Sequence, residues 1–230
     1  MSHQITAEGE PRPTHTIEDY LMTMYVMERD QGEIVAARLA EMMKVAPATV
    51  TMTLKRMERD HWISGKSRKD IRLTETGRAA ARSVIRRHML IEWLLVKIFK
   101  MPLSQTHDEA HRMEHAISAQ LEERMRDILG DPKLCPHGNP FPGNEDLTKD
   151  WVPLTQVPAG EAVIIRRIHE FAENYQDLLA FLSGKKIEPG VHARLVESLP
   201  VNQTVTVEID AELITLGFSA AEHVHVERQN

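Results

Sequence analysis

Apolar residues follow a helical repeat through Ile17, Leu21, Met24, Tyr25 and Met27, predicting a helix that Thr16 can cap and Gly32 breaks. A second amphipathic stretch over residues 35–43 turns Leu39, Ala40 and Met43 to one side. After the turn Lys44-Val45-Ala46, a third helix is predicted over residues 47–60. Pro47 suits its first turn, and Val50, Leu54 and Met57 form its inner face. Two short apolar runs, Trp62-Ile63 and Ile71-Arg72-Leu73, flank the basic loop 65–70 and predict a small hairpin with a charged tip. Helix, short helix, tight turn, helix and basic hairpin make the order of a winged helix-turn-helix. A plain helical domain would share the periodicity, but the basic tip favours contact with DNA.

Beyond Thr74 the helical period returns to about Lys100, with Ile85, Leu90, Trp93, Leu94 and Ile98 available for burial. A further long helix is predicted over residues 107–129, stopped by Gly130-Asp131-Pro132. Two such helices without a sheet pack on each other or across a dimer interface. Residues 131–153 are proline-rich and aperiodic, as in an ordered loop or linker. The pattern then alternates in Val163-Ile164-Ile165, in residues 191–195 and in Thr204-Val205-Thr206-Val207, with a helix near residues 174–182 between the first two. A small β-barrel with one helical insertion fits this pattern. The fold class expected is α+β and mainly helical. Its parts are a flexible tail (1–15), a winged helix-turn-helix (16–73), a helical domain (74–140), a linker (141–151) and a small β-barrel (152–228).

Composition changes the picture in three places. The single cysteine, Cys135, excludes an internal disulfide, and no apolar run approaches a membrane span, so a cytoplasmic protein is expected. The net charge of −6 does not suggest nucleic acid, but its distribution does. Lys66, Arg68, Lys69 and Arg72 face only Asp70, and Arg78, Arg82, Arg86 and Arg87 follow. Finally, of twelve histidines, five fall within residues 88–137, among carboxylates and the only thiol.

The densest chemistry lies in His107-Asp-Glu-Ala-His111-Arg-Met-Glu114-His115. On a continuous helix, His107, His111 and His115 share one face, and Glu114 lies beside it. His88 and Glu92 form another pair four residues apart, and Cys135-Pro-His137 adds a thiol and an imidazole. Singly, each has an ordinary explanation: His88 and Glu92 as solvated side chains, Asp19 as support for a helix start, Cys135 as a small buried apolar group. Jointly, such nitrogen, carboxylate and sulfur donors suit a divalent transition metal. One enzymatic alternative exists. His111-Arg-Met-Glu114-His115 fits H-x-x-E-H, the inverted zinc-metallopeptidase motif, in which two histidines hold zinc and the glutamate activates water. That chemistry needs an open coordination position, which the crowd of nearby donors disfavours, and it leaves the upstream DNA-binding module without a role.

The stretches TVTMTLKRMERD (49–60), Arg87-His88 with Glu92, HDEAHRMEH (107–115) and CPHGNPFPG (135–143) resemble the iron- and manganese-dependent repressors typified by the diphtheria toxin repressor. The resemblance covers nearly the whole chain. It implies a metal-dependent, non-enzymatic transcriptional repressor: a homodimer binding a palindromic operator in double-stranded DNA, with an SH3-like (FeoA-like) C-terminal domain. Carried over by residue, it implies a primary metal site of Asp19, His88, His111, Glu114 and His115. It also implies an ancillary site of Glu92, His107, Cys135 and His137, completed by Glu173 or Asn174. Asp at position 19, where iron-responsive members commonly have Met, matches the manganese-responsive branch. His111 stands where the family usually has Cys or Glu. A sulfur-free primary set favours harder ions, Mn(II) first and Fe(II) next, while the extra imidazole also accommodates Zn(II) or Co(II) in vitro. DNA contact is expected from Pro47, Ala48, Thr49, Thr51 and Met52 at base edges. Lys55, Arg56, Lys66, Arg68 and Lys69 would contact phosphates.

Overall fold

The computed structural model describes residues 13–65 and 70–229. They divide into two compact units, residues 1–86 and 87–230. In the first, helix α1 (His15–Gln31) starts at Thr14 rather than Thr16. Thr14 is extended, and its carbonyl accepts from Glu18 N–H at 2.9 Å, so Thr16 lies inside the first turn. Gly32 closes the helix at φ 76°, its N–H donating to the Glu28 carbonyl. Helices α2 (Ala36–Met42) and α3 (Pro47–Arg59) follow. The inner face of α3 is Val50, Thr53 and Met57, and Leu54 is only half-buried, so the helix is rotated slightly from the expected stripe. Strands β1 (Ile63–Ser64) and β2 (Arg72–Leu73) pair antiparallel, and a bridge between Ile34 and Ile71 extends this wing. The core beneath is Tyr20, Leu21, Met24, Met27, Leu39, Val50, Met57 and Trp62. Lys66, Arg68 and Lys69, expected at the wing tip, lie outside the described residues.

Helix α4 (Glu75–Lys97) has its first residues in the first unit and the remainder, from Arg87, in the second. The single helix expected over residues 107–129 is two. Helix α5 (Leu103–Met113) passes through one tight turn (Glu114–Ala116), and α6 (Ala119–Leu129) begins afresh. The break has a local cause. Ile117 is extended, its carbonyl accepting from Arg87 Nη1 at 3.4 Å, and the Ser118 hydroxyl oxygen caps α6 by accepting from Leu121 N–H at 3.2 Å.

The C-terminal sheet contains β3 (Val152–Pro153), β4 (Ala162–Ile168), β5 (His192–Leu199), β6 (Thr204–Ile209), β7 (Glu212–Gly217) and β8 (Val224–Arg228). All pairs are antiparallel, in the order β3-β8-β4-β5-β6-β7, an SH3-like arrangement. Alternation along β4 and β6 sends Val163, Ile165, Val205, Val207 and Ile209 into one core with Leu195, Ile214, Leu216, Val224 and Val226. Between β4 and β5 lie two short helices instead of one, α7 (Glu170–Glu173) and α8 (Gln176–Gly184); α9 (Phe218–Ala221) precedes β8. No described helix is long and apolar enough to cross a membrane.

Candidate metal centre

The break after Met113 decides how the histidines are distributed. His111 occupies the last turn of α5, whereas Glu114 and His115 lie in the tight turn beyond it. Glu114 is wholly buried, with Oε2 2.5 Å from His88 Nδ1 and Oε1 3.1 Å from His111 Nδ1. His115 Nε2 is 3.6 Å from the same Oε1. Burial alone would raise the Glu114 carboxyl, but the charge of His88 and hydrogen bonds from His111 and His88 outweigh it, holding the pKa at about 2.

A second group lies on the other side of His88. Its Nε2 faces Glu92 Oε1 at 3.4 Å, and its ring lies 4.8 Å, centroid to centroid, from that of His107. His107 Nδ1 in turn is 2.9 Å from Oε2 of Glu173, at the end of α7. Donor atoms of His88, Glu92, His107 and Glu173 all fall within 4.8 Å of one another, and those of Glu92, Cys135 and His137 do likewise. His137 Nδ1 lies 3.1 Å from Glu92 Oε1 and 3.6 Å from Glu173 Oε1. His107 therefore parts company with His111 and His115, and His88 presents one ring nitrogen to each group. Of the two candidates from the C-terminal domain, Glu173 is in this cluster. Asp19 sits partly buried on α1 in the first unit.

These contacts fit a divalent cation better than a web of hydrogen bonds. His88 Nε2, His107 Nδ1, both ring nitrogens of His137 and both oxygens of Glu92 are buried without a hydrogen-bond partner among the described residues. Three of these nitrogen–oxygen pairs lie 2.9–3.4 Å apart yet are poorly aligned for hydrogen bonding, and the fourth, His137 with Glu173, is 3.6 Å apart. Two ligands each about 2.1 Å from one ion are separated by roughly 3.0 Å at a right angle and roughly 3.4 Å at the tetrahedral angle. Without an ion, the cluster stores protons instead. Burial would lower His137, but facing Glu173 and Glu92 raise it to about 9. His88 is likewise raised well above the usual imidazole value against its burial, by Glu114 and Glu92. Glu92 is held well below the carboxylate range, despite burial, by His137 and His88. Burial, reinforced by Glu92 and Glu173, pushes the Cys135 thiol well up.

The loop carrying Cys135 and His137 is built for rigidity. Cys135 N–H donates to the Asn139 carbonyl at 2.8 Å, Gly138 N–H to the Cys135 carbonyl at 2.9 Å, and Trp93 Nε1 to the Leu134 carbonyl at 2.7 Å. The wholly buried Asn139 was not singled out from sequence. Its side-chain amide donates to Glu173 Oε1 at 2.6 Å and to the Ile168 carbonyl at 2.8 Å, while its oxygen accepts from Arg167 Nε at 2.5 Å. Its place within CPHGN was the available signal.

On α3, Pro47, Ala48 and Thr49 are exposed, as are Lys55 and Arg56. Met52 is 73% exposed, which rules out a packing role within its own unit. The Thr51 hydroxyl donates back to the Pro47 carbonyl at 3.0 Å.

The metallopeptidase alternative is not supported. Helix α5 ends between the two histidines of the motif, and Glu114, which would activate water, is buried against His88 and His111. Residues 13–70 match the family described as iron dependent repressor, N-terminal DNA binding domain. Residues 74–143 match the iron dependent repressor metal binding and dimerisation domain, and residues 152–228 the FeoA domain. The iron-dependent repressor IdeR of Mycobacterium leprae is 34% identical over 224 residues, covering 93% of this chain and 97% of that protein. The diphtheria toxin repressor of Corynebacterium diphtheriae is 39% identical over 132 residues, 57% of this chain and 58% of its own. Among solved structures, a manganese-dependent transcriptional repressor in complex with manganese is similar at TM-score 0.81 and 26% identity, covering 93% of this chain and all of the other. With its DNA-binding, metal-binding and C-terminal segments all matched in order, the chain belongs to the iron-dependent repressor family.

Proposed function

We propose that this chain is a homodimeric repressor that binds a palindromic operator in double-stranded DNA when Mn(II), or secondarily Fe(II), is bound, and that it acts in the cytoplasm. The observation that carries this reading is the convergence of buried, hydrogen-bond-free nitrogen and oxygen donors in a chain that also exposes the N-terminal half of a winged-helix recognition helix. In this reading Asp19, His88, His111, Glu114 and His115 hold the activating ion. Glu92, His107, Cys135, His137 and Glu173 hold ancillary metal. The sulfur-free first set favours a hard ion, whereas the thiol of the second accepts softer ones such as Zn(II) or Co(II).

When bound, the ion supplies a fixed positive centre that carboxylates and imidazoles share. Everything else is done by the chain. Asp19 contributes a carboxylate from the DNA-binding domain, so its engagement restrains the recognition helices of the two protomers at one separation. Pro47, Ala48, Thr49, Thr51 and Met52 then meet base edges, the methyl and thioether groups suiting thymine methyls. Lys55, Arg56, Lys66, Arg68 and Lys69 contact phosphates and make affinity fall with salt. Without metal the domains sample many separations, and few match the operator.

The test is selection from a randomised duplex pool with chelator or with a panel of divalent ions. Enrichment of a palindrome with Mn(II) or Fe(II) and not with chelator is expected. Equal enrichment with chelator would overturn the reading.

A further inference from the structure

Both ancillary groups contain Glu92: one with His88, His107 and Glu173, the other with Cys135 and His137. We propose that they are two adjacent divalent-cation sites bridged by carboxylates, in place of one ancillary site. The inference rests on the metal-dependent reading above and concerns how many ions its second cluster takes.

Three observations point to a pair. Each group is close to a full shell once Glu92 and Glu173 are shared. The first has two carboxylates and two imidazoles, His88 entering by Nε2 while its Nδ1 faces Glu114 of the activating set; the second has a thiol, an imidazole and Glu92, with Glu173 Oε1 3.6 Å from His137 Nδ1 as a fourth donor. Next, the Glu173 oxygens divide, with Oε2 at 2.9 Å from His107 and Oε1 towards His137. Glu92 stands between the two groups, its Oε1 3.4 Å from His88 Nε2 and 3.1 Å from His137 Nδ1, and both its oxygens, Oε2 included, are buried without hydrogen bonds among the described residues. A carboxylate shared by two ions is the ordinary bridge of two-metal sites, whose ions lie about 3.5–4 Å apart; Glu173 has the divided oxygens this needs, and Glu92 has one oxygen facing both groups and a second left over. Last, the donor chemistry is unequal. One side has only nitrogen and oxygen, and the other adds sulfur, so the two ions differ in character. The competing arrangement is one six-coordinate ion that takes all six side chains.

Cobalt(II) titration of the full-length protein separates these cases, because thiolate ligation gives an intense near-ultraviolet charge-transfer band that nitrogen and oxygen ligation does not. Bound cobalt is counted by elemental analysis after gel filtration, alongside the band. For a bridged pair, Cys135→Ser removes one ion and the band, whereas His107→Ala removes one ion and leaves the band. Glu92→Gln diminishes both, and Mn(II)-loaded wild type shows exchange broadening in its EPR spectrum. His107→Gln stands in if the alanine variant melts early. A single ion is the answer, and the pair is overturned, if His107→Ala and Cys135→Ser remove the same ion and the band together. Operator affinity on the same samples reports the repressor reading separately. Paired cobalt with metal-independent DNA binding would keep the pair and remove the repressor mechanism. Metal-activated DNA binding with one ion in the cluster would remove the pair alone.

Discussion

The side-chain amide of Asn139 holds Glu173 by its Oε1 at 2.6 Å, which leaves Oε2 2.9 Å from His107 Nδ1. Asn139, whose own amide oxygen is taken by Arg167 Nε, thus orients the Glu173 carboxylate beside His107. Replacing it should loosen the donor without deleting it. Asn139→Ala is expected to weaken ancillary metal binding about 10- to 100-fold, the usual cost of losing a ligand's outer hydrogen bond. It should also cost about 1–3 kcal/mol of stability, because buried Arg167 Nε loses its acceptor. Calorimetric titration that finds wild-type affinity would show that Glu173 needs no such support.

Protons and metal compete for the same cluster, and their effects on stability have opposite signs. In the metal-free protein His137 titrates near 9 instead of 6.5, so the stability it contributes is complete below pH 6.5 and is lost as pH rises to about 9. His88, also raised, acts in the same direction. Glu114 is lowered from 4.5 to about 2, so its contribution is complete above pH 4.5 and is lost as pH falls towards 2, with Glu92 adding to that limb. Metal-free protein should therefore melt highest between about pH 4.5 and 6.5, each limb being worth a few kcal/mol at about 1.4 kcal/mol per pKa unit. With saturating metal the alkaline limb should disappear, since ligation requires neutral imidazole. Melting curves from pH 3 to 9, with chelator and with Mn(II), check both halves; a chelated protein that gains stability from pH 6.5 to 9 would contradict them.

Asp19→Ala distinguishes a ligand from an ordinary side chain of α1. Because the helix starts at Thr14, its first-turn acid is Glu18 and not the expected Asp19, so as a helix-supporting residue Asp19 is worth less than about 1 kcal/mol, with or without metal. As a ligand, its loss leaves metal-free melting nearly unchanged and shrinks the metal-induced shift, because the ion loses a contact made only in the ordered state. Operator affinity in saturating metal then falls towards the metal-free value. Shift and affinity both at wild-type levels would take Asp19 out of the site.

Gly138 cannot be replaced quietly. Its φ is 87°, and a Cβ there would stand 1.9 Å from the Arg166 carbonyl oxygen. Gly138→Ala should cost about 3 kcal/mol or more from backbone strain and overlap together. Denaturant unfolding measures the loss. The cobalt–thiolate band, which depends on Cys135 in the same loop, should weaken in parallel.

Most side chains of the buried cluster were legible because their signal is chemical and local. His88 with Glu92, and Cys135 with His137, are close in sequence and identify themselves by residue type. The division of labour among them was not legible. The repeat of His107, His111 and His115 at four-residue spacing describes one continuous helix. What breaks it is the extended backbone at Ile117, bonded to Arg87 thirty residues away, together with the Ser118 cap. Likewise, nothing near Asn139 in the sequence indicates that Glu173 and Arg167 will meet it. On α3, helical period placed Val50 and Met57 correctly inward but chose the apolar Leu54 for the inner face where the structure buries Thr53, one position away on the helix.

The loop at residues 135–140 is moulded on strand β4. Ile168 N–H donates to the His137 carbonyl at 2.8 Å, Asn139 returns a bond to the Ile168 carbonyl, and Gly138 lies against Arg166. The C-terminal sheet therefore acts as a template that fixes donor spacing while contributing few donors itself. On the metal-dependent reading proposed above, a substitution in β4 would retune the ion concentration at which the protein responds with every proposed ligand kept, so sensitivity could be altered separately from selectivity.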